Sequence, residues 1–597
     1  MAKKQKNRRS QVLTNLEIAQ ALSEVGDLLE LQGGNQFKVR AYRNASRSVR
    51  NHSTRIQRLV EEDEDLTSLP GVGKDMAAHI AELVETGKLE RLDKLRDEIP
   101  ESLVEMMKLP DLGARKTRRL WKELGVETVD ELEKAADAGR VAELEGFGKK
   151  SQQKILQGIG TYRKHQGRFK LADAEQLIEP LMDYLHEDGN IQKLDVAGSY
   201  RRCKETVGDV DILAVADAGK NVMKRFGEYG QIREVRQAGD TRGTVVLASG
   251  LQVDLRIVPA RSYGAALVYF TGSKDHNIKL RNRALQRDLS ISEYGVFRKS
   301  GDNDDESDHG PDVDDYVTGE TEEKVYDAVG LPWIPPVLRE DQGEVEAAAE
   351  KDLPELVQLD DIRGDLQMHS TWSDGKNSLE EMARACRDRG YDYLAITDHG
   401  TSLPMTGGLD KDRLKKQWNE IDEMNEKFDD IRVFRSMEVD VLEDGALSLE
   451  EELLDELDIV LVSIHSKFNL SAEKQTERVL KALQHSKVNM FAHPTARLIN
   501  EREPIEFDME KALDCAAENG VVMEINAQPD RLDLNDMHVR MAGDRGVKIA
   551  INTDAHDTDM LNAMRYGVQQ AQRGWLTRDD VINTRSTSDL LRLFGKK

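Results

Sequence analysis

The chain has 597 residues, 39% hydrophobic and 33% charged, with a formal net charge of -26. That length calls for several domains, no apolar run is long enough to span a membrane, and no apolar segment follows the basic N-terminus as a secretory signal would. Cys203, Cys386 and Cys515 lie too far apart to frame disulfides or a thiolate zinc site, so a reducing cytoplasm is the expected location.

The charge is unevenly spread. Residues 1–60 carry 12 Lys/Arg against 4 Asp/Glu, whereas residues 301–360 carry 3 against 20. Binding to a polyanion depends on local basic surface, not on the chain total. The N-terminal region therefore remains open to nucleic acid, and the acidic stretch reads as a solvated loop and linker.

Three copies of a short pattern come next: Leu69-Pro70-Gly71-Val72-Gly73, Leu109-Pro110-Asp111-Leu112-Gly113 and Leu144-Glu145-Gly146-Phe147-Gly148, each leading into a helical periodicity. Glycine lets backbone approach a phosphate, and a helix N-terminus offers N–H groups to it. Lys74, Lys116 and Lys149 stand where they add charge. Recurrence at offsets of 40 and 35 residues marks one reused unit. The pattern resembles the helix-hairpin-helix motif and predicts contact with DNA backbone. Asp111 replaces a glycine, which weakens the second copy or leaves it a packing role.

From about 171 to 300 strands and helices alternate. Gly198-Ser199-Tyr200-Arg201-Arg202 precedes Gly208-Asp209-Val210-Asp211-Ile212. On a strand, residues i and i+2 share a face, so Asp209 and Asp211 point together while Val210 and Ile212 enter the core. A second strand, Gln252 to Val258, alternates in the same way and adds Asp254. Three converging carboxylates would hold two Mg²⁺ ions that activate a hydroxyl and stabilise a leaving pyrophosphate. Ser199 and Arg202 would grip the triphosphate.

This constellation resembles the nucleotidyltransferase superfamily, and specifically family X DNA polymerases. Tyr269-Phe270-Thr271-Gly272 and the following Asn277 and Arg281 narrow it. The resemblance implies that Tyr269, Phe270 and Gly272 pack beside the incoming sugar and that Asn277 and Arg281 contact the nascent base pair and template. It also brings Gly198 and Gly208 to the nucleotide. It implies a small helical DNA-binding domain over residues 1–90, fingers over 91–170 with two further hairpin copies, an α+β palm over 171–260 and a thumb over 261–335. In one respect the chain departs: His79 stands where some members carry a Schiff-base lysine, and Asp75 matches a neighbouring lysine. A histidine cannot form that imine. Lys38 and Tyr42 are thus expected to help bind a 5′-phosphate without lyase chemistry.

Residues 336–361 read as an acidic linker. Beyond 362, apolar strands repeatedly end in polar residues, with helical segments between them, which predicts parallel strands in a barrel-like α/β domain over 362–597. His369, Asp374, His399, Glu438, His465, His493, Asp554 and His556 stand at such ends or in the loop after the first, and would bind Zn²⁺, Mn²⁺ or Fe²⁺. His485 and His538 read as structural. This half resembles the PHP (polymerase and histidinol phosphatase) domain, which implies a distorted barrel, up to three metal ions and phosphoester hydrolysis. Gln367 stands where the family usually has histidine. Lys467, Arg497 and Arg531 are candidates for holding a substrate phosphate.

The two resemblances together imply a repair polymerase acting on gapped or nicked double-stranded DNA with dNTPs, and a 3′→5′ exonuclease or abasic-site activity in the C-terminal half; a monomer is expected, although the sequence does not give the oligomeric state. The hairpin copies and the Tyr-Phe-x-Gly segment count against a template-independent nucleotidyltransferase. The filled ligand set counts against a purely structural C-terminal domain, whereas Gln367 counts for it.

Overall fold

The computed structural model describes residues 13–298, except Ser53, Pro110 and Asp111, and residues 315–595. The chain forms two compact units: Met1–Val196 with Thr206–Val258 and Asn500–Arg502, and Ala197–Glu205 with Pro259–Ile499 and Glu503–Lys597.

The first unit begins with helix α1 (Asn15–Gln32), started by a reciprocal capping box between Thr14 and Glu17 and stopped by Gly33 at φ 80. Such a cap contributes about 1 kcal/mol. Helix α2 (Gln36–Asn51) packs on it. The three repeated patterns lead into α3 (Lys74–Thr86), α4 (Ala114–Leu124) and α5 (Gly148–His165). One apolar cluster runs from Ile18 to Ile159, so the hairpin copies on both sides of residue 90 share a core.

The same unit holds a five-stranded sheet of β1 (Ile191–Val196), β2 (Asp209–Ala216), β3 (Ile232–Ala238), β4 (Arg242–Leu247) and β5 (Gln252–Ile257), in the order β1-β2-β5-β4-β3. Strands β2 and β5 run parallel, with Asp211 opposite Asp254 and Asp209 opposite Gln252. Val210, Ile212, Val253 and Leu255 are buried, which fixes the register.

In the second unit, helices α6 (Tyr263–Thr271) and α7 (Lys274–Leu285) pack with a three-stranded antiparallel sheet. The expected linker is built into this core. Leu338, Val345, Ala348 and Leu356 are buried with Ala265, Val268 and Leu280. Helix α8 (Glu344–Glu350) sends Glu344 into the interior, 2.6 Å from His276. Several acids of this segment have basic partners, Asp341 and Glu346 both on Lys279 at 2.6 and 2.8 Å. Their apolar neighbours are thereby left to pack, which a count of charges along the sequence does not reveal. The acidic residues 301–314 lie outside the described residues.

The rest of this unit is a seven-stranded parallel sheet: β6 (Gly364–Met368), β7 (Tyr393–Ile396), β8 (Arg432–Asp440), β9 (Ile459–Ser463), β10 (Met490–Phe491), β11 (Val522–Asn526) and β12 (Ile549–Asn552), in sequential order. The His369 N–H donates to the Ala555 carbonyl at 2.8 Å, so the sheet comes close to closing as a barrel. Its strands are almost wholly buried, as parallel strands covered by helices must be. Helix α9 (Met564–Arg573) packs on β12. Among the described residues no helix is long and apolar enough to cross a membrane.

Candidate catalytic centres

The face shared by β2 and β5 gathers Asp209, Asp211 and Asp254. Asp254 is only 8% exposed. Its Oδ1 accepts from the Thr244 hydroxyl and its Oδ2 from Gln252 Nε2 at 2.9 Å, so two side chains on the same sheet fix its plane. Burial, and next the charges of Asp209 and Asp254, push the Asp211 carboxyl up to about 6. The three are not among the groups whose ligand atoms all lie within 4.8 Å of one another. Like charges separate, and a set of hard oxygens under such repulsion suits a hard cation such as Mg²⁺.

The first hairpin places Gly71 at φ 74 and uses Gly73 as the N-cap of α3 with no side chain occupying its first N–H groups. The second uses Gly113 in the same way before α4; its Asp111 lies outside the described residues. In the third, Gly146 has φ 82, matching Gly71, and Gly148 is the first residue of α5. Lys74 and Lys149 are exposed and Lys116 is half-buried. On α2, Lys38 is exposed, whereas Tyr42 is buried, its hydroxyl 3.1 Å from His79 Nδ1 with the rings stacked.

In the second unit Tyr269 and Phe270 meet edge to face with centroids 5.0 Å apart. Asn277 Nδ2 donates to the Tyr269 carbonyl at 2.7 Å, Gly272 has φ 70, and Arg281 is exposed. Gly198 opens a single helical turn at φ 66 that carries Ser199. Arg202 is held by Glu340 and the Thr271 carbonyl. Gly208, in the first unit, links Thr206–Val207 to β2.

At the barrel's strand ends, all eight predicted ligands come together. Three overlapping groups have ligand atoms within 4.8 Å: His369, Asp374, His399 and His556; His399, Glu438 and His465; His369, Glu438 and Asp554. Glu438 is the shared centre, 2.8 Å from His493, 3.2 Å from His465 and 3.4 Å from His369. Burial opposes its charge, yet the flanking imidazoles hold it well below the usual carboxylate range. Burial likewise opposes protonation of His369 and His465, but the carboxylates win and raise them to about 9 and about 10. The Nδ1 atoms of His369, His399 and His493 are buried without a hydrogen-bond partner among the described residues. Buried, unpaired imidazole nitrogens beside carboxylates make a donor set that fits Zn²⁺, Mn²⁺ or Fe²⁺.

Gln367 is fully buried beside Glu524, and its amide reaches that carboxylate at 2.9 Å when its nitrogen faces it. Glu524 also accepts from Asn552 Nδ2 at 2.6 Å and the His493 N–H at 2.7 Å. Sequence reasoning missed Glu524, Asp398 and Asp440. Asp398 accepts from Ser370 Oγ and Gln417 Nε2, both at 2.6 Å, and anchors the loop after β6. Asp440 accepts a hydrogen bond from His465 Nδ1 at 2.8 Å, which turns Nε2 toward Glu438. For Asp398 and Asp440 the signal was a carboxylate one or two residues from a named ligand, whereas Glu524 has no named ligand near it in the chain. Of the candidate phosphate groups, Arg531 lies 3.7 Å from Asp554, but Lys467 pairs with Glu443 at 2.8 Å and Arg497 with Glu205 at 2.7 Å. Arg497 is therefore a structural ion pair, because a carboxylate distant in sequence takes its fork.

The family description "DNA polymerase beta thumb" matches residues 266–340, "Helix-hairpin-helix domain" 13–89, "SAM-like Helix-hairpin-helix tandem" 103–161 and "PHP domain" 365–528. The chain is 40% identical over 576 residues to the DNA polymerase/3'-5' exonuclease PolX of Bacillus subtilis (strain 168), covering 96% of this chain and 98% of that one. It is 25% identical over 347 residues to DNA polymerase lambda of Rattus norvegicus, covering 55% of this chain and 56% of that one.

Proposed function

The chain belongs to the family X DNA polymerases that carry a C-terminal PHP domain, and on that premise we propose that it fills short gaps in DNA during repair and trims 3′ ends by phosphoester hydrolysis in its barrel. The observation that carries the synthetic half is the register of β2 and β5, which sets Asp211 opposite Asp254 and Asp209 on the same face. Two Mg²⁺ ions there, and up to three Mn²⁺, Zn²⁺ or Fe²⁺ ions in the barrel, would activate the attacking oxygen and neutralise charge developing on the phosphate. Thr244 and Gln252 hold the Asp254 carboxylate in one plane. Arg202 offers its remaining donors to the triphosphate of a dNTP. Tyr269, Phe270 and Gly272 lie beside the sugar, and Asn277 and Arg281 at the base pair. The hairpin glycines and Lys74, Lys116 and Lys149 hold the backbone of gapped or nicked duplex, while Lys38 and Tyr42 receive its 5′-phosphate. In the barrel, Asp440 and Asp398 fix the imidazole and the loop that face the scissile phosphate, and Arg531 balances its charge.

Primer extension across a one-nucleotide gap tests the synthetic half: Asp254→Ala should abolish it, and near-normal extension would refute the assignment. For the barrel, metal analysis of the purified protein should find transition-metal ions that His493→Ala releases.

A further inference from the structure

The twin arginines of the Gly198–Arg202 segment have different surroundings. Arg201 is committed to Glu322 through two bonds of 2.7 and 2.9 Å, and Glu322 also takes the fully buried Arg339 at 2.7 Å. Among the described residues Arg202 is held at Nε and Nη1, which leaves Nη2 without a partner. Its Nε donates to Glu340 at 3.0 Å and its Nη1 to the Thr271 carbonyl. A guanidinium has five N–H donors, so the rest of the fork stays available to an anion. The neighbouring loop is moulded to this group: a Cβ at Gly272, which has φ 70, would lie 3.2 Å from Arg202 Nη1.

Glu340 is itself held from α9. Arg573 Nη1 donates to Glu340 at 3.1 Å and to the Arg202 carbonyl at 2.7 Å, while its Nε reaches Asp536 at 3.0 Å. Lys204 completes the cluster, 3.9 Å from Glu340 and 3.8 Å from Asp536. The side chains of Arg573, Arg202 and Glu340 are only 2%, 13% and 14% exposed. Three cations (Arg202, Lys204, Arg573) thus face two carboxylates (Glu340, Asp536), leaving one positive charge in a largely desolvated place. Stability alone does not explain such a network, since apolar packing would serve as well. An incoming phosphate would complete its charge balance.

We propose that Glu340 and Arg573 are positioning residues for Arg202, so that a helix of the barrel helps set nucleotide affinity in the polymerase reaction. The proposal rests on the reading of Arg202 as a triphosphate-binding group. It predicts that the two halves are not fully independent: losing Glu340 or Arg573 frees the guanidinium to swing, which weakens nucleotide binding more than the chemical step.

The test uses the full chain. KM for dNTP and kcat are measured on gapped DNA for Arg202→Ala, Glu340→Gln and Arg573→Gln, with 3′ degradation of single-stranded DNA measured on the same preparations. Glu340→Gln and Arg573→Gln should each raise KM about three- to tenfold with kcat within about twofold and unchanged degradation. In the Arg202→Ala background, Arg573→Gln should add little, because the two act through one group. Should Arg573→Gln melt early, Arg573→Lys keeps the charge but loses the fork, and KM should still rise. If Arg202→Ala raises KM while the Glu340 and Arg573 variants leave it within about twofold, the positioning role is overturned. If Arg202→Ala itself leaves KM unchanged, the triphosphate reading falls first.

Discussion

In the barrel, Glu438 is met by His493, His465 and His369 at 2.8, 3.2 and 3.4 Å, whereas in the five-stranded sheet Asp211 stands register-opposite another carboxylate. The first centre supplies its own counter-charges. The second is a set of like charges under mutual repulsion, with Asp254 alone braced by neighbours. The contrast fits the ions proposed for each. Imidazole and carboxylate together would suit a transition metal, while aspartates alone would suit a hard ion.

Removing either centre while assaying the other should give the largest effect. Asp254→Ala should lower gap filling by roughly a thousandfold or more, several kcal/mol of transition-state stabilisation, and spare 3′ degradation. Glu438→Gln should do the reverse, since it empties the shared position of two ligand groups. Paired assays on each protein decide it: loss of degradation in Asp254→Ala with retention in Glu438→Gln would move the nuclease to the sheet.

Next in size is the effect of pH on the metal-free protein. Asp211 is raised from 3.8 to about 6, so its protonated form favours the fold, and that contribution fades as pH climbs from about 4 to 6. His369 and His465 are raised to about 9 and about 10, so their contribution is complete below about 6.5 and fades as pH rises through 9 to 10. Thermal melting in chelator should show two separate declines. Asp211→Asn should remove the lower one and stabilise the metal-free protein at neutral pH by up to about 3 kcal/mol. An Asp211→Asn protein no more stable than the parent would contradict the repulsion.

A smaller effect concerns the N-terminal helices. Binding to duplex DNA should weaken steeply with salt and show no sequence preference. Gly71→Ala should cost about 1 kcal/mol or more, because its φ of 74 disfavours any side chain and a Cβ would meet Asn44 at 3.2 Å. Borohydride reduction on a 5′-deoxyribose-phosphate substrate should trap no adduct, since His79 pairs with Tyr42 where an amine would be needed; a trapped lysine in residues 13–89 would overturn this.

Both chemistries were legible in the order of residues along the chain. Period-two alternation put Asp209, Asp211 and Asp254 on one face, because backbone pleating is local. Strand-end histidines marked the barrel centre, because parallel strands carry their polar residues past the same edge. The sequence also carried the three hairpins, each a self-contained turn and helix start. Which groups pair with which emerged from folding. The segment 336–361 looked like a linker from its acids, yet His276, Lys279 and Arg202 pair with four of them and let Leu338, Val345 and Leu356 pack. Arg497 looked free for a phosphate until Glu205, almost three hundred residues away in sequence, took its fork. Asp440 and Glu524 were invisible as partners of His465 and Gln367 for the same reason. A side chain's chemical type is local, but its charge balance is set by whichever chain segment folding brings beside it.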